Sequence, residues 1–226
     1  MTWLEIWEKK GLPPTVAFIG PHNVGKTSLV LKVVRTLRER GHQVGVIKTT
    51  KEKIALDDPS KDTGRYQKIA QRVGLLGPEG LRLVLKESPP LEEILFRYYG
   101  DCDLVIVEGL KSHPFLPKIE VARREVSSDL LAQIVPGVVA VVADFPVADR
   151  PCFSFEDVEG LACFIEEEIM APFREKKHLG LWINGSSVEL KFFIRQITAD
   201  IVYGVVKNLR LPEAPRLVDI KLRLPD

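Results

Sequence analysis

The sequence predicts an α/β fold: an open, mainly parallel sheet flanked by helices. Three observations carry that prediction. Short apolar runs recur at 15–19, 43–48, 103–109, 117–123 and 137–144; helix-patterned stretches separate several of them; and a glycine-rich loop links the first run to the first long helix. Strands covered on both faces read as continuous apolar runs rather than as alternation, and such sheets gather their C-terminal loops on one side.

The elements follow in order. MTWLEIWEKK reads as a short amphipathic helix capped by Thr2 with Glu5 three positions on. The other reading gives Trp3 and Trp7 to a docking partner. Thr15–Ile19 is a buried strand. In KTSLVLKVVRTLRERG, Leu29, Val30, Val33, Val34 and Leu37 paint one helical face, and Gly41 stands where a helix ends. QVGVIK (43–48) is the second strand. Residues 49–62 are polar, without period and rich in turn formers, a loop of a length that is more often functional than idle. A helix from about Arg65 to Arg72 precedes a strand pair, VGLLG and LRLVL, turning at PEG. Ser88 and two prolines open a helix through Tyr99. Strands then fall at 103–109, 117–123 and 137–144, and Ser154 with Asp157 caps a helix to about Met170.

Residues 171–176 read as a boundary, giving a main α/β domain over 1–172 and a small α+β extension over 173–226. The extension is predicted as β-β-α-β: a hairpin turning at Asn184-Gly185, a helix over 194–209 and a closing strand in LVDIKLRL.

Composition narrows the function classes. Lys and Arg number 32 against 31 Asp and Glu, so no net field points toward nucleic acid or an anionic membrane. Cys102, Cys152 and Cys163 lack CxxC spacing, which argues against disulfides or structural zinc and suits a reducing cytoplasm. The four histidines are scattered, which disfavours a metal-delivery GTPase. The first residues lack a signal-peptide pattern, and no apolar run approaches the roughly 18 residues of a membrane helix.

Residues 20–28, GPHNVGKTS, satisfy G-x-x-x-x-G-K-[ST] with a strand before and a helix after. Glycines let the backbone wrap close to phosphate oxygens while successive N–H groups face them. Gly20, Asn23, Val24, Gly25, Lys26, Thr27 and Ser28 are therefore the nucleotide-binding stretch. Lys26 is placed between β- and γ-phosphates, Thr27 on Mg²⁺ and Ser28 near the α-phosphate. DLVIVEG delivers Glu108 to a strand end, where a carboxylate holds Mg²⁺ or orients water. Lys26 and Glu108 are the catalytic candidates. Among Asp57, Asp58 and Asp62 of the long loop, Asp62 is favoured as a third metal contact, with Lys48 at the loop's edge. Asp144, after the strand VVAVVA, is the candidate to accept from guanine, although a capping Asp explains it equally. N-K-x-D is absent, so the motifs indicate a nucleoside triphosphate without choosing its base. Arg123 and Arg124 read as an exposed basic pair, or as a contact for an anionic ligand or second subunit.

GPHNVGKTS, GHQVGVIKTT, PSKDTGRY, DLVIVEGLKSHPFLPKIEVAR and VVADFP together resemble the molybdopterin-guanine dinucleotide biosynthesis protein B family, over most of residues 15–170. VEGLK followed by PKIEV is the most distinctive piece. The resemblance implies a P-loop NTPase fold, GTP with Mg²⁺, at most slow hydrolysis, a homodimer, and work beside the nucleotidyltransferase that attaches GMP to molybdopterin or beside a molybdoenzyme. It also implies phosphate and metal contacts at Gly25, Lys26, Thr27 and Ser28, a second carboxylate at Glu108, and Asp62 at the family's acidic position. Thr49, Thr50 and Lys51 stand where members often carry histidines. Pro21, His22 and Asn23 offer no early lysine of the kind related dimeric ATPases use. The alternative reading is a P-loop small-molecule kinase using ATP, with Lys111, His113 and Lys118 lining an acceptor or pterin-phosphate site.

Overall fold

The computed structural model describes residues 3–52, 54, 61–126, 129–174, 178–211 and 213–222. Six strands form one sheet: β1 (Thr15–Ile19), β2 (Val44–Lys48), β5 (Leu104–Glu108), β6 (Lys118–Ala122), β7 (Val138–Ala143) and β8 (Cys152–Phe153), in the order β2-β5-β1-β6-β7-β8. Every pairing in it is parallel. β3 (Arg72–Gly77) and β4 (Gly80–Leu85) stand apart as an antiparallel hairpin, as their sequence predicts.

Both faces of the sheet are covered, which explains the apolar runs. On one face Val16, Phe18, Leu104 and Ile106 meet Leu29, Val33 and Leu37 of α2 (Lys26–Glu39) and Leu161 of α5 (Val158–Phe164). On the other, Ala17, Ile19, Val105 and Val107 meet Ile6 and Trp7 of α1 (Trp3–Lys10) and Leu95 of α4 (Leu91–Tyr98). Neighbouring strand residues thus feed opposite cores, as a period of two requires. Trp7 is fully buried, so it serves the fold rather than a docking partner; Thr2 lies outside the described residues.

Helix ends follow their chemistry with one exception. Gly41, at φ +89, closes α2: its N–H reaches Arg38 O at 2.9 Å and the next N–H, of His42, reaches Leu37 O at 3.1 Å. Asp157 caps α5 by accepting from Gly160 N at 3.0 Å, with Ser154 Oγ accepting from Asp157 N. Ser88 does not cap α4, which starts two residues after Pro89 with Pro90 at its N-cap. Proline's fixed φ starts that helix without a side-chain oxygen. α3 (Asp62–Ile69) also begins three residues before the predicted Arg65. After α5 the helix continues through a π-helical stretch, Ile165–Met170, into α6 (Ala171–Arg174). Pro172 cannot donate to the Glu168 carbonyl, and the helix widens just ahead of it.

The helix therefore crosses the expected boundary at 172, and Phe173 is buried in the second core. Beyond it, β9 (Leu181–Ile183) and β10 (Ser186–Val188) form the predicted hairpin, with Asn184 at φ 51 and Gly185 at φ 83. Trp182 stacks on Phe96 with centroids 4.7 Å apart and donates to Lys10 O at 3.1 Å, fixing the hairpin to α4 and α1. α7 (Phe192–Val206) follows, fifteen residues with none buried. Residues 217–222 form no strand, so the described extension is β-β-α. Arg216 instead bonds Asp103 across the start of β5, fixing the segment by a side chain rather than a ladder. No helix among the described residues is long and apolar enough to cross a membrane.

Candidate functional site

The loop after β1 is shaped by three residues at positive φ: Gly20 (150), Asn23 (60) and Gly25 (96). A Cβ on Gly20 would lie 2.2 Å from Val121 O, so only glycine lets β1 leave the sheet against β6. Val24 is fully buried and anchors the loop's apex in the core. Gly25 is the N-cap of α2 without a side-chain cap, and the first turn of the helix carries no acid. Its N-terminal N–H groups and partial positive charge therefore stay available to an anion.

Lys26 arches across the loop, Nζ donating to Gly20 O at 3.0 Å and Pro21 O at 2.5 Å. Burial lowers its pKa from the ordinary lysine value; Glu108 opposes this and Lys48 adds to it. The next residue, Thr27, sets its Oγ 2.9 Å from both carboxylate oxygens of Glu108. Sheet register makes this meeting: Glu108 pairs with Phe18 of β1 on one side and with Lys48 of β2 on the other. Lys48 Nζ lies 3.4 Å from Glu108 Oε1.

Thr49 completes the carboxylate's setting. Its N–H and its hydroxyl both donate to the Glu108 carbonyl at 3.0 Å. Its Oγ occupies the space of the missing side chain at Gly109, where a Cβ would fall 2.0 Å away and φ is +115. Thr49 thus fixes the strand end that carries Glu108, a role that one linear sequence does not reveal because it depends on the β2–β5 pairing.

On the loop's other flank, at the ends of β6, β7 and β8, lie Arg123, Asp144 and Phe155. Arg123 Nε donates to Val24 O at 3.2 Å, and its guanidinium lies 3.8 Å from the Phe155 ring centroid. Asp144 accepts from Arg124 N at 2.9 Å and stands 3.9 Å from Arg123. The basic pair is therefore split: Arg123 is tied to the loop by its side chain, and Arg124 contributes its backbone to Asp144. Nothing in the residues around Phe155 marks it in advance; its position comes from β8 pairing with β7.

Several of the remaining sequence candidates have other partners. Asp62 is exposed in the first turn of α3 and pairs with Arg65 at 3.7 Å. Ser28 is exposed in the first turn of α2, and Asp57 and Asp58 lie outside the described residues. Lys118 is fully buried, its ammonium held by Leu116 O at 3.1 Å and Pro136 O at 2.8 Å. His113 leans edge-on against Trp7, and burial lowers its pKa. Lys111, His113 and Lys118 therefore do not converge on an acceptor, because the strand that begins at Lys118 turns its side chain into the protein. Glu120, two residues on, is also buried and accepts from Leu131 N at 2.6 Å and Ala132 N at 2.7 Å. The distinctive PKIEV run is thus a structural brace. Among the described residues, no three His, Cys, Asp or Glu side chains cluster as a metal site. Thr27 and Glu108 are two oxygen donors of the hard type that Mg²⁺ takes when phosphates and water complete its shell.

A glycine-lysine-threonine loop between β1 and α2 of a parallel sheet, with a carboxylate at the end of the adjoining strand, defines the P-loop NTPase class. The model of the family "Molybdopterin guanine dinucleotide synthesis protein B" matches residues 15–144. The chain is 30% identical over 166 residues to the molybdopterin-guanine dinucleotide biosynthesis adapter protein of Escherichia coli, covering 70% of this chain and 94% of that protein. The adapter protein of Haemophilus influenzae is 30% identical over 158 residues, covering 68% and 88%. A crystal structure of a MobB protein homolog from Bacillus stearothermophilus superposes with a TM-score of 0.52 at 25% identity, over 68% of this chain and 96% of that one. The chain belongs to the molybdopterin guanine dinucleotide synthesis protein B family.

Proposed function

We propose that this protein is a GTP-binding adapter in the synthesis of molybdopterin guanine dinucleotide, with slow, Mg²⁺-dependent hydrolysis of the GTP it holds. The carrying observation is the convergence of Lys26, Thr27 and Glu108 at the mouth of the loop. Lys26 neutralises the β- and γ-phosphates, and Thr27 and Glu108 would hold a Mg²⁺ ion brought with them. Bound Mg²⁺ supplies the charge stabilisation. The protein's share is to keep Lys26, Thr27 and Glu108 in place. Asp144, at the end of β7, is the acceptor for the guanine edge.

The names of the relatives support the adapter role, and a homodimer working with a nucleotidyltransferase or molybdoenzyme belongs to the same reading. Titration of the full chain with GTP and with ATP, each with Mg²⁺, tests it. GTP is expected to bind more tightly, and Lys26→Ala to abolish binding. Preference for ATP, or binding that survives Lys26→Ala, overturns the reading.

A further inference from the structure

The geometry points to the stack of Arg123 on Phe155, with Asp144 at its edge, as the wall against which the nucleobase of the bound nucleotide lies. This rests on the proposed function only in taking the loop to hold the nucleotide's phosphates.

The site is polar in the literal sense, with different chemistry at its two ends. Over β2 and β5 stand Lys48, Thr27 and Glu108, a charged group suited to a metal and terminal phosphate. Over β6, β7 and β8 stand a guanidinium plane, a phenyl ring and a carboxylate. The loop after β1 lies between them, because β1 sits between β5 and β6 in the sheet. A nucleotide whose phosphates occupy the loop and whose metal-bound end faces Glu108 leaves its base toward Arg123.

Arg123 is held as a platform. Nε is tied to the Val24 carbonyl, one face of the guanidinium lies on Phe155, and the side chain remains 40% exposed. Arg123 reaches the loop from the end of β6, on the side of the loop away from β5 and Glu108. Phe155 is packed against the main core, so the plane resting on it is fixed as well. A planar cation of this kind stacks on aromatic rings, bases included. Gly25 borders the stack: a Cβ there would lie in ordinary contact with it, 3.7 Å from Phe155 and 3.8 Å from Arg123. Asp144 keeps acceptor capacity beyond its bond from Arg124 N.

The test compares GTP with inorganic triphosphate, which has the phosphates and no base, both with Mg²⁺ and the full chain. Wild type is expected to bind GTP at least tenfold more tightly than triphosphate. Arg123→Ala and Phe155→Leu should each weaken GTP roughly tenfold, the scale of one lost base stack, while triphosphate stays within about twofold. Arg123→Lys, which keeps charge without the plane, should not restore GTP binding. Equal weakening of both ligands would make Arg123 a brace of the loop and overturn the inference, as would rescue by lysine. Wild-type binding of both ligands with equal affinity would also overturn it while leaving the loop's phosphate role intact. Binding of neither would end both readings. Phe155→Leu keeps an apolar side chain on the core, and unchanged circular dichroism melting separates lost stacking from lost folding.

Discussion

Thr27 Oγ stands 2.9 Å from both carboxylate oxygens of Glu108, across the gap between the start of α2 and the end of β5. One hydroxyl proton serves both oxygens, so the pair is held without being saturated. A cation entering there gains two oxygen ligands already at metal-sharing distance. Glu108→Gln keeps the shape and removes the charge. It should lower Mg²⁺ affinity of the nucleotide complex at least tenfold, since even the loss of an outer-shell partner of a metal ligand costs about 10–100-fold. Nucleotide affinity measured without metal should change little. Mg²⁺ titration of the GTP-bound protein checks this, and an unchanged midpoint would remove Glu108 from the metal site.

Gly20 tests the loop's backbone rather than its side chains. With φ at +150 and Val121 O 2.2 Å from any Cβ, Gly20→Ala meets a backbone carbonyl that has no room to yield. The variant should lose about 1–3 kcal/mol of stability, and phosphate binding with it. Urea unfolding alongside a GTP titration reads both. A variant of wild-type stability that binds normally would mean that β1 and β6 separate more easily than their pairing indicates.

What the sequence made legible, and what it left hidden, divides along local versus non-local physics. The phosphate loop, the strands predicted between Thr15 and Asp144 and the Asn184-Gly185 turn are each specified within a few consecutive residues, and all appear where expected. Glu108 was visible because an apolar run carries it to a strand end. Lys118 reads from sequence as lining an acceptor site, because a charged residue opening a strand normally faces water or a ligand. Here two backbone carbonyls, those of Leu116 and Pro136, compensate its burial. Thr49 and Phe155 gain their places only when β2 joins β5 and β8 joins β7, and no pattern along one chain states which strands are neighbours. The closing strand predicted from Leu217 has β-forming residues but, over its described residues, pairs with no strand, and an unpaired strand has no ladder to hold it.

Glu120 shows how a distinctive motif can be structural. Its buried carboxylate takes the N–H groups of Leu131 and Ala132, pinning the far end of the segment that begins with Arg123 and Arg124. Glu120→Ala leaves two N–H groups without that acceptor and should cost about 1–3 kcal/mol. Glu120→Gln, which keeps one carbonyl acceptor, should cost less. Denaturant unfolding of the three proteins ranks them, and an alanine variant as stable as wild type would show that water replaces the carboxylate there.

The fold's acid limit should depend on Glu166, in the π-helical stretch. Burial alone raises a carboxyl's pKa, but hydrogen bonds from His42 and Arg40 outweigh it, and the net effect is a pKa below the ordinary carboxylate value. His42 Nε2 lies 2.7 Å from one oxygen of Glu166, and Arg40 holds the other. A carboxyl whose folded pKa is depressed binds fewer protons folded than unfolded across the interval between the two values. Its contribution is therefore complete above the unfolded value, about 4.3 for glutamate, and is lost as pH falls through the lower folded value. Unfolding free energies measured from pH 7 down to pH 3 should fall more steeply for wild type than for Glu166→Gln, while the variant is less stable at neutral pH. Parallel curves would place the acid sensitivity elsewhere, with Glu92 as the next candidate, since its pKa is lowered by a backbone hydrogen bond and Lys10 against the opposing effect of burial.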